Sequence, residues 1–128
     1  MAYSLNPSSD SCYEGTTCLI NKFGIKDEKR LSELEAQITF AKAVLLEANP
    51  IEGTFDFEHF KKIHEFLLCD IYDWAGQIRT VDISKKRTKF LSAASIETIA
   101  TQCFSKVAAG FLDNLSFDEF ATRIAEFY

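Results

Sequence analysis

The chain has 128 residues, 47% of them hydrophobic, and a formal net charge of −5. This is one domain's worth of chain, and twelve phenylalanines among the apolar residues supply a core that needs neither disulfide nor metal. No apolar run approaches the ~20 residues that cross a bilayer, no basic-then-apolar leader opens the sequence, and the acidic balance excludes a general nucleic-acid binder. Residues 1–26 are polar and rich in Ser, Asn and Thr, a lead-in that packs through a few apolar anchors. From Asp27 to about Glu47, Leu31, Leu34, Ile38, Ala41 and Leu45 recur at helical spacing and predict an amphipathic helix, which Asn49-Pro50 stops. A second helix is predicted from a cap at Asp56, with Phe57, Phe60, His64, Leu67, Leu68 and Ile71 on one face. Its expected end is Trp74-Ala75-Gly76, where Gly76 can take the left-handed conformation.

The β-branched run Ile78–Ile83 and the stretch Thr88–Leu91 flank the polar Ser84-Lys85-Lys86-Arg87, which predicts a hairpin over 79–91, the one strand-like region. A third helix carries Ile96, Ile99, Ala100, Cys103, Phe104, Val107 and Phe111, and Asp113-Asn114 breaks it. Ser116 and Glu119 then form a capping box for a fourth helix faced by Phe117, Phe120, Ala121, Ile124 and Phe127. That helix is still in its apolar pattern at Phe127-Tyr128, with no cap and no polar tail, so the expectation is a domain cut short. An exposed apolar groove, and self-association through it, would follow.

The chemistry-bearing residues are few. Cys12, Cys18, Cys69 and Cys103 form no C-x-x-C pair, and His59 and His64 do not converge with them, so no metal site is expected. Cys69 and Cys103 fall on apolar helix faces, where free cysteine acts as a small hydrophobe, and reduced thiols with no targeting signal suggest a cytoplasmic location. His64 and Trp74 read as core residues rather than as base and ligand stack. There is no glycine-rich phosphate loop, no nucleophile elbow and no telling carboxylate pair. The one charge anomaly is a basic cluster, Arg79, Lys85, Lys86, Arg87 and Lys89, against a single Asp82. On an otherwise acidic chain it suits a localised anion such as a phosphate.

The run from His64 through Ile71-Tyr72-Asp73-Trp74-Ala75-Gly76 and Arg79-Thr80-Val81-Asp82-Ile83-Ser84 to Lys85 resembles the Fic family (filamentation-induced-by-cAMP domains). Tyr13-Glu14-Gly15-Thr16 is similar to that family's Y-P-G-T, and Leu19 to Ile25 to its L-x-N-K-x-G-I. Phe117 to Tyr128 resembles the helix that leads into the family's active site. The resemblance implies a mainly α-helical domain over 1–128 with one β-hairpin flap, truncated before the active-site helix. It implies an activity, transfer of AMP from ATP to a hydroxyl of a target protein, with ATP and Mg²⁺ as cofactors of the full-length enzyme and no tight nucleotide binding by these residues alone. Lys85 and Lys86 would approach the nucleotide, and Thr88, Lys89 and Phe90 would form the flap strand on which the target docks. The family's H-P-F-x-[DE]-G-N-[GK]-R is absent from the 128 residues, so no catalytic residue and no metal ligand is assigned. Ser11-Cys12-Tyr13-Glu14-Gly15 falls one residue short of the family's self-inhibitory [ST]-x-x-x-E-[GN], which implies an inhibitor that is a separate small protein or lies outside these residues. Other expectations of the resemblance are a member that transfers phosphate or another phosphate-bearing group, and a non-catalytic binding module that keeps the flap.

Overall fold

The computed structural model describes residues 11–127. In chain order these form α1 (Glu28–Ala48), α2 (Phe57–Leu68), β1 (Ser84–Lys85), β2 (Thr88–Lys89), a 3-10 turn (Ala93–Ser95), α3 (Ile96–Ala108) and α4 (Phe117–Phe127). α1 packs on α2, and α2 on α3. The two strands pair antiparallel in one small hairpin.

Local side-chain chemistry sets the starts of α1, α2 and α4, whereas α3 runs on from the 3-10 turn with no side-chain cap at Ser95. The Asp27 carboxylate accepts the Arg30 N–H at 2.8 Å, and Asp56 accepts the His59 N–H at 2.9 Å, so Asp56 caps as the sequence predicts and Asp27 caps the helix that the periodicity places there. At α4 the box is reciprocal: Glu119 Oε2 accepts the Ser116 N–H and Ser116 Oγ accepts the Glu119 N–H. Hydrogen bonding to Ser116 holds the Glu119 carboxyl below the usual carboxylate range.

Five expectations need correction. The second helix ends at Leu68, not at Gly76. The carbonyls beyond its end are taken by the lead-in: Lys22 N–H donates to Ile71 O at 2.8 Å and Lys22 Nζ to Cys69 O at 2.7 Å. Cys69 is therefore the helix cap rather than a member of its apolar face. Ile78–Ile83 is not a strand. The third helix closes at Ala108, three residues before Phe111, because Gly110 turns to φ +93°. The hairpin is also not the one strand-like region, since Cys12 and Leu19 form an isolated antiparallel bridge in the lead-in.

The core of the described residues is small. Cys18, Leu31, Ile71 and Tyr72 are buried together, with Tyr13, Leu19, Ile25, Ile38 and Leu68 packed around them. A second contact joins α2 to α3, where Phe57 and Phe60 meet the Phe104 ring at centroid distances of 5.8 and 5.0 Å. The apolar stripes of α1 and α4 are present but largely open. Leu31 is buried, Leu34 and Ile38 are half-buried, yet Leu45 is exposed and so are Phe117 and Phe120. A stripe read from spacing says which face is apolar, not that a partner covers it.

All four cysteines are free. Burial pushes the Cys18 thiol up, with the Glu28 carboxylate adding to it, so this sulfur is a packing group and a poor nucleophile.

Candidate functional site: the basic flap

The flap hangs from the turn that follows α2. Gly76 has φ +79°, and a side chain there would place its Cβ 2.7 Å from Glu65 Cβ and 3.2 Å from Lys61 O. Only glycine fits. Its N–H donates to His64 Nδ1 at 2.9 Å, tying the turn back to α2. The His64 ring is half-buried beside Trp74, with centroids 6.1 Å apart. Trp74 itself lies flat on Tyr72 at 4.4 Å, covering the core from outside rather than filling it.

Burial lowers the His64 pKa below its ordinary value, and the neutral ring is the form that accepts the Gly76 N–H. A base whose folded pKa is depressed binds more protons unfolded than folded. Its contribution is therefore full above the unfolded value, about 6.5, and declines as pH falls from there toward the folded value. We expect the urea midpoint to fall between about pH 7.5 and about pH 5, and His64→Gln to flatten that slope. An unchanged slope in the variant would remove His64 from the account.

Past Gly76, the arms of the flap are held by side chains. The Arg79 guanidinium reaches Val81 O at 2.6 Å and also Leu91 O, which pins the start of one arm to the end of the other. Asp82 Oδ1 accepts the Ala93 N–H at 2.8 Å. These contacts explain why Ile78–Ile83 forms no ladder despite its β propensity. They also correct the reading of Arg79, which braces the flap and is not one of its presented charges.

The ladder has Ser84 opposite Lys89 and Lys85 opposite Thr88. Phe90 N–H donates to Ile83 O at 3.1 Å. In an antiparallel pair, hydrogen-bonded and non-bonded couples alternate, so Ile83–Phe90 and Lys85–Thr88 are bonded couples while Ser84–Lys89 is not. The Lys89 N–H and C=O consequently point away from the hairpin along an edge with no neighbour among the described residues. Opposite residues share a face, which puts Lys89 with Ser84 on one side and Lys85 with Thr88 on the other.

The tip is the two-residue turn Lys86-Arg87, with Lys86 at φ +55°. Glycine or asparagine fits that conformation more easily, and a lysine there costs about 1 kcal/mol. Lys86, Arg87, Thr88 and Lys89 are all exposed, and Lys85 is half-buried. The structure thus brings the sequence-predicted residues Lys85, Lys86, Thr88, Lys89 and Phe90 into one hairpin. It separates Lys85 from Lys89 by face. The His64–Gly76 tie and the Arg79 brace were missed, and the only signal for them was that all three lie in one dense run.

Among the described residues, no group of three or more His, Cys, Asp or Glu is placed to hold a metal ion, and no helix is long and apolar enough to cross a membrane. His59 is committed elsewhere: its Nδ1 accepts the Phe55 N–H at 3.1 Å and its Nε2 lies 2.7 Å from Ile51 O.

Comparison with known proteins identifies this helical body and its hairpin. The chain is 38% identical over 109 residues to the protein adenylyltransferase VbhT of Bartonella schoenbuchensis, covering 84% of this chain and 23% of that protein. It is 32% identical over 117 residues to the probable protein adenylyltransferase Fic of Escherichia coli, covering 91% of this chain and 58% of that one. The BepC effector of Bartonella tribocorum, solved with bound AMPPNP, superposes with a TM-score of 0.80 at 26% identity, over 92% of this chain and 64% of that one. No family model matches the chain. The curated relatives and solved neighbours agree, and the chain belongs to the Fic family. It spans only part of these relatives, 23% of the Bartonella protein and 58% of the Escherichia coli one.

Proposed function

We propose that this chain supplies the scaffold and the target-docking flap of a protein adenylyltransferase. In the reaction so served, a hydroxyl oxygen of the target attacks the α-phosphorus of ATP, pyrophosphate leaves, and the hydroxyl proton passes to a base. The 128 residues contain no H-P-F-x-[DE]-G-N-[GK]-R, so base, metal ligand and phosphate loop lie outside them and the chain alone transfers nothing. The bound AMPPNP of the BepC neighbour supports ATP as the donor. In this reading Lys85 and Lys86, at the turn of the hairpin, approach its phosphates. Mg²⁺ would enter with the residues that are not here.

The observation that carries this reading is the outward N–H and C=O of Lys89 on an unpartnered edge, the geometry that strand addition needs. Lys89→Pro deletes that N–H while leaving the two hydrogen-bonded couples of the hairpin intact, and proline is tolerated where a strand N–H faces solvent. We expect the variant to keep its unfolding midpoint and to lose binding of extended peptides, read by fluorescence polarisation. Phe90→Pro, which removes an internal bond, should unravel the hairpin instead. With α-phosphate-labelled ATP and a bacterial lysate, the pure chain should label no protein. A chimera that continues from Tyr128 into the remainder of the Escherichia coli relative should label protein with AMP, and Lys89→Pro should abolish it. Transfer by the chain alone, or full activity of the proline chimera, would overturn the proposal.

A further inference from the structure

We infer that the segment docked on the flap is an acidic extended stretch of a protein, an inference that rests on the docking reading above. The outward edge of the hairpin is a row of cations. Lys89 bears the free N–H and C=O, and Arg87 and Lys86 precede it at the tip. All three are exposed, and no ion pair is formed by any of them among the described residues. The one carboxylate of the flap, Asp82, is engaged at the base, by Arg79 at 4.0 Å and by the Ala93 N–H. The contrast with the body is large: the whole chain carries −5. An acidic segment is therefore drawn to the flap and repelled elsewhere, which fixes where it lands as well as how fast.

The hairpin geometry says which positions matter. A strand added at the Lys89 edge alternates its side chains between two faces. Those on the Ser84–Lys89 face meet Lys89, and those on the other face meet Thr88 and the hairpin side that carries Lys85. A carboxylate opposite Lys89 on that face thus lies beside its ammonium, and one reaching beyond the turn meets Lys86 or Arg87. The positive φ of Lys86 fits the same picture, because the strained turn residue is a cation aimed outward where asparagine would sit at ease.

The test uses the full chain and labelled peptides of alternating Thr and Glu, Thr and Gln, or Thr and Lys. The Thr-Glu peptide is expected to bind about tenfold tighter than the Thr-Gln peptide at low salt, with most of that advantage gone at about 0.5 M salt. The triple variant Lys86→Glu, Arg87→Glu, Lys89→Glu should invert the order and prefer Thr-Lys, which also shows that it is folded. Lys86→Asn relieves the turn while removing one charge, so it should bind Thr-Glu more weakly without loss of stability. Equal binding of Thr-Glu and Thr-Gln overturns the acidic segment and leaves strand docking in place. If peptides N-methylated at alternate nitrogens bind as well as their parents, or if none binds, strand docking itself fails. Tighter binding of a single-stranded RNA than of Thr-Glu overturns the inference in favour of a polynucleotide.

Discussion

Replacing Tyr72 by Ala is expected to take away a fifth or more of the chain's stability, about 3–5 kcal/mol from a domain whose total lies in the range of roughly 5–15 kcal/mol. Tyr72 is 2% exposed and shares the core with Cys18, Leu31 and Ile71. Its ring is stacked under Trp74, and its hydroxyl donates to Glu35 Oε2 of α1 at 2.5 Å. One side chain therefore joins α1, the turn after α2 and the residue that shields both. The core offers little else of that size to take up the loss. Tyr72→Phe separates the two contributions, since it removes only the hydroxyl and should cost about 1 kcal/mol. Urea midpoints of the two variants decide the matter, and a Tyr72→Ala cost near that of Tyr72→Phe would refute the stacking account. The phenol gives an independent mark. Burial, and then the Glu35 carboxylate, push its pKa far above the ordinary value of 10, so this tyrosine should stay un-ionised in an alkaline absorbance titration until the fold is lost.

The sequence announces its helices and its flap more clearly than the way they are joined. Asp27, Asp56 and the Ser116–Glu119 box are each sufficient local signals, because capping is decided within one turn of chain. The end of α2 is different. Apolar residues continue at helical spacing through Ile71, and nothing local says that Lys22, almost fifty residues earlier, takes the carbonyls of Cys69 and Ile71. The strand expected at Ile78–Ile83 fails for a related reason. Its composition suits a strand, but a ladder needs a second backbone, and here the Arg79 guanidinium takes the carbonyl positions first.

The site was legible as a charge anomaly and a hairpin, and illegible as geometry. Spacing alone put Arg79, Lys85, Lys86, Arg87 and Lys89 in one cluster. The fold divides them into a brace (Arg79), an inner face (Lys85) and an outer edge (Lys86, Arg87 and Lys89). That division follows from the register, which depends on where the turn falls. A polar stretch of four residues, Ser84 to Arg87, leaves the turn undecided, and a shift of one residue would exchange the faces of Lys85 and Lys89.

Asn21→Ala should cost about 3 kcal/mol, although the side chain is small and lies in the lead-in rather than in a helix. Asn21 is 8% exposed and uses both ends of its amide. Its Nδ2 donates to Leu19 O at 3.0 Å and to Ile25 O at 2.7 Å, and its Oδ1 accepts the Phe23 and Ile25 N–H groups, each at 3.1 Å. The loop thereby closes around one residue, and Gly24 at φ +66° lets the backbone make that turn. Alanine leaves two carbonyls and two N–H groups without the amide that joins them, with the Cys18 thiol, 3.4 Å from Ile25 O and 3.9 Å from Leu19 O, left beside the carbonyls. Asn21→Asp is the sharper control. It keeps both acceptor contacts, but sets a carboxylate oxygen against the Leu19 and Ile25 carbonyls, so it should be at least as destabilised at neutral pH and recover in part on acidification. The consequence reaches the flap through the next residue, because Lys22 holds the Ile71 and Cys69 carbonyls where α2 ends. Hydrogen exchange should show the Phe23, Ile25 and Tyr72 amides losing protection in Asn21→Ala before those of α3, and peptide docking should weaken although no flap residue has changed. A cost below about 1 kcal/mol, or loss of protection spread evenly over the chain, would show that the lead-in does not hold the turn on which the flap depends.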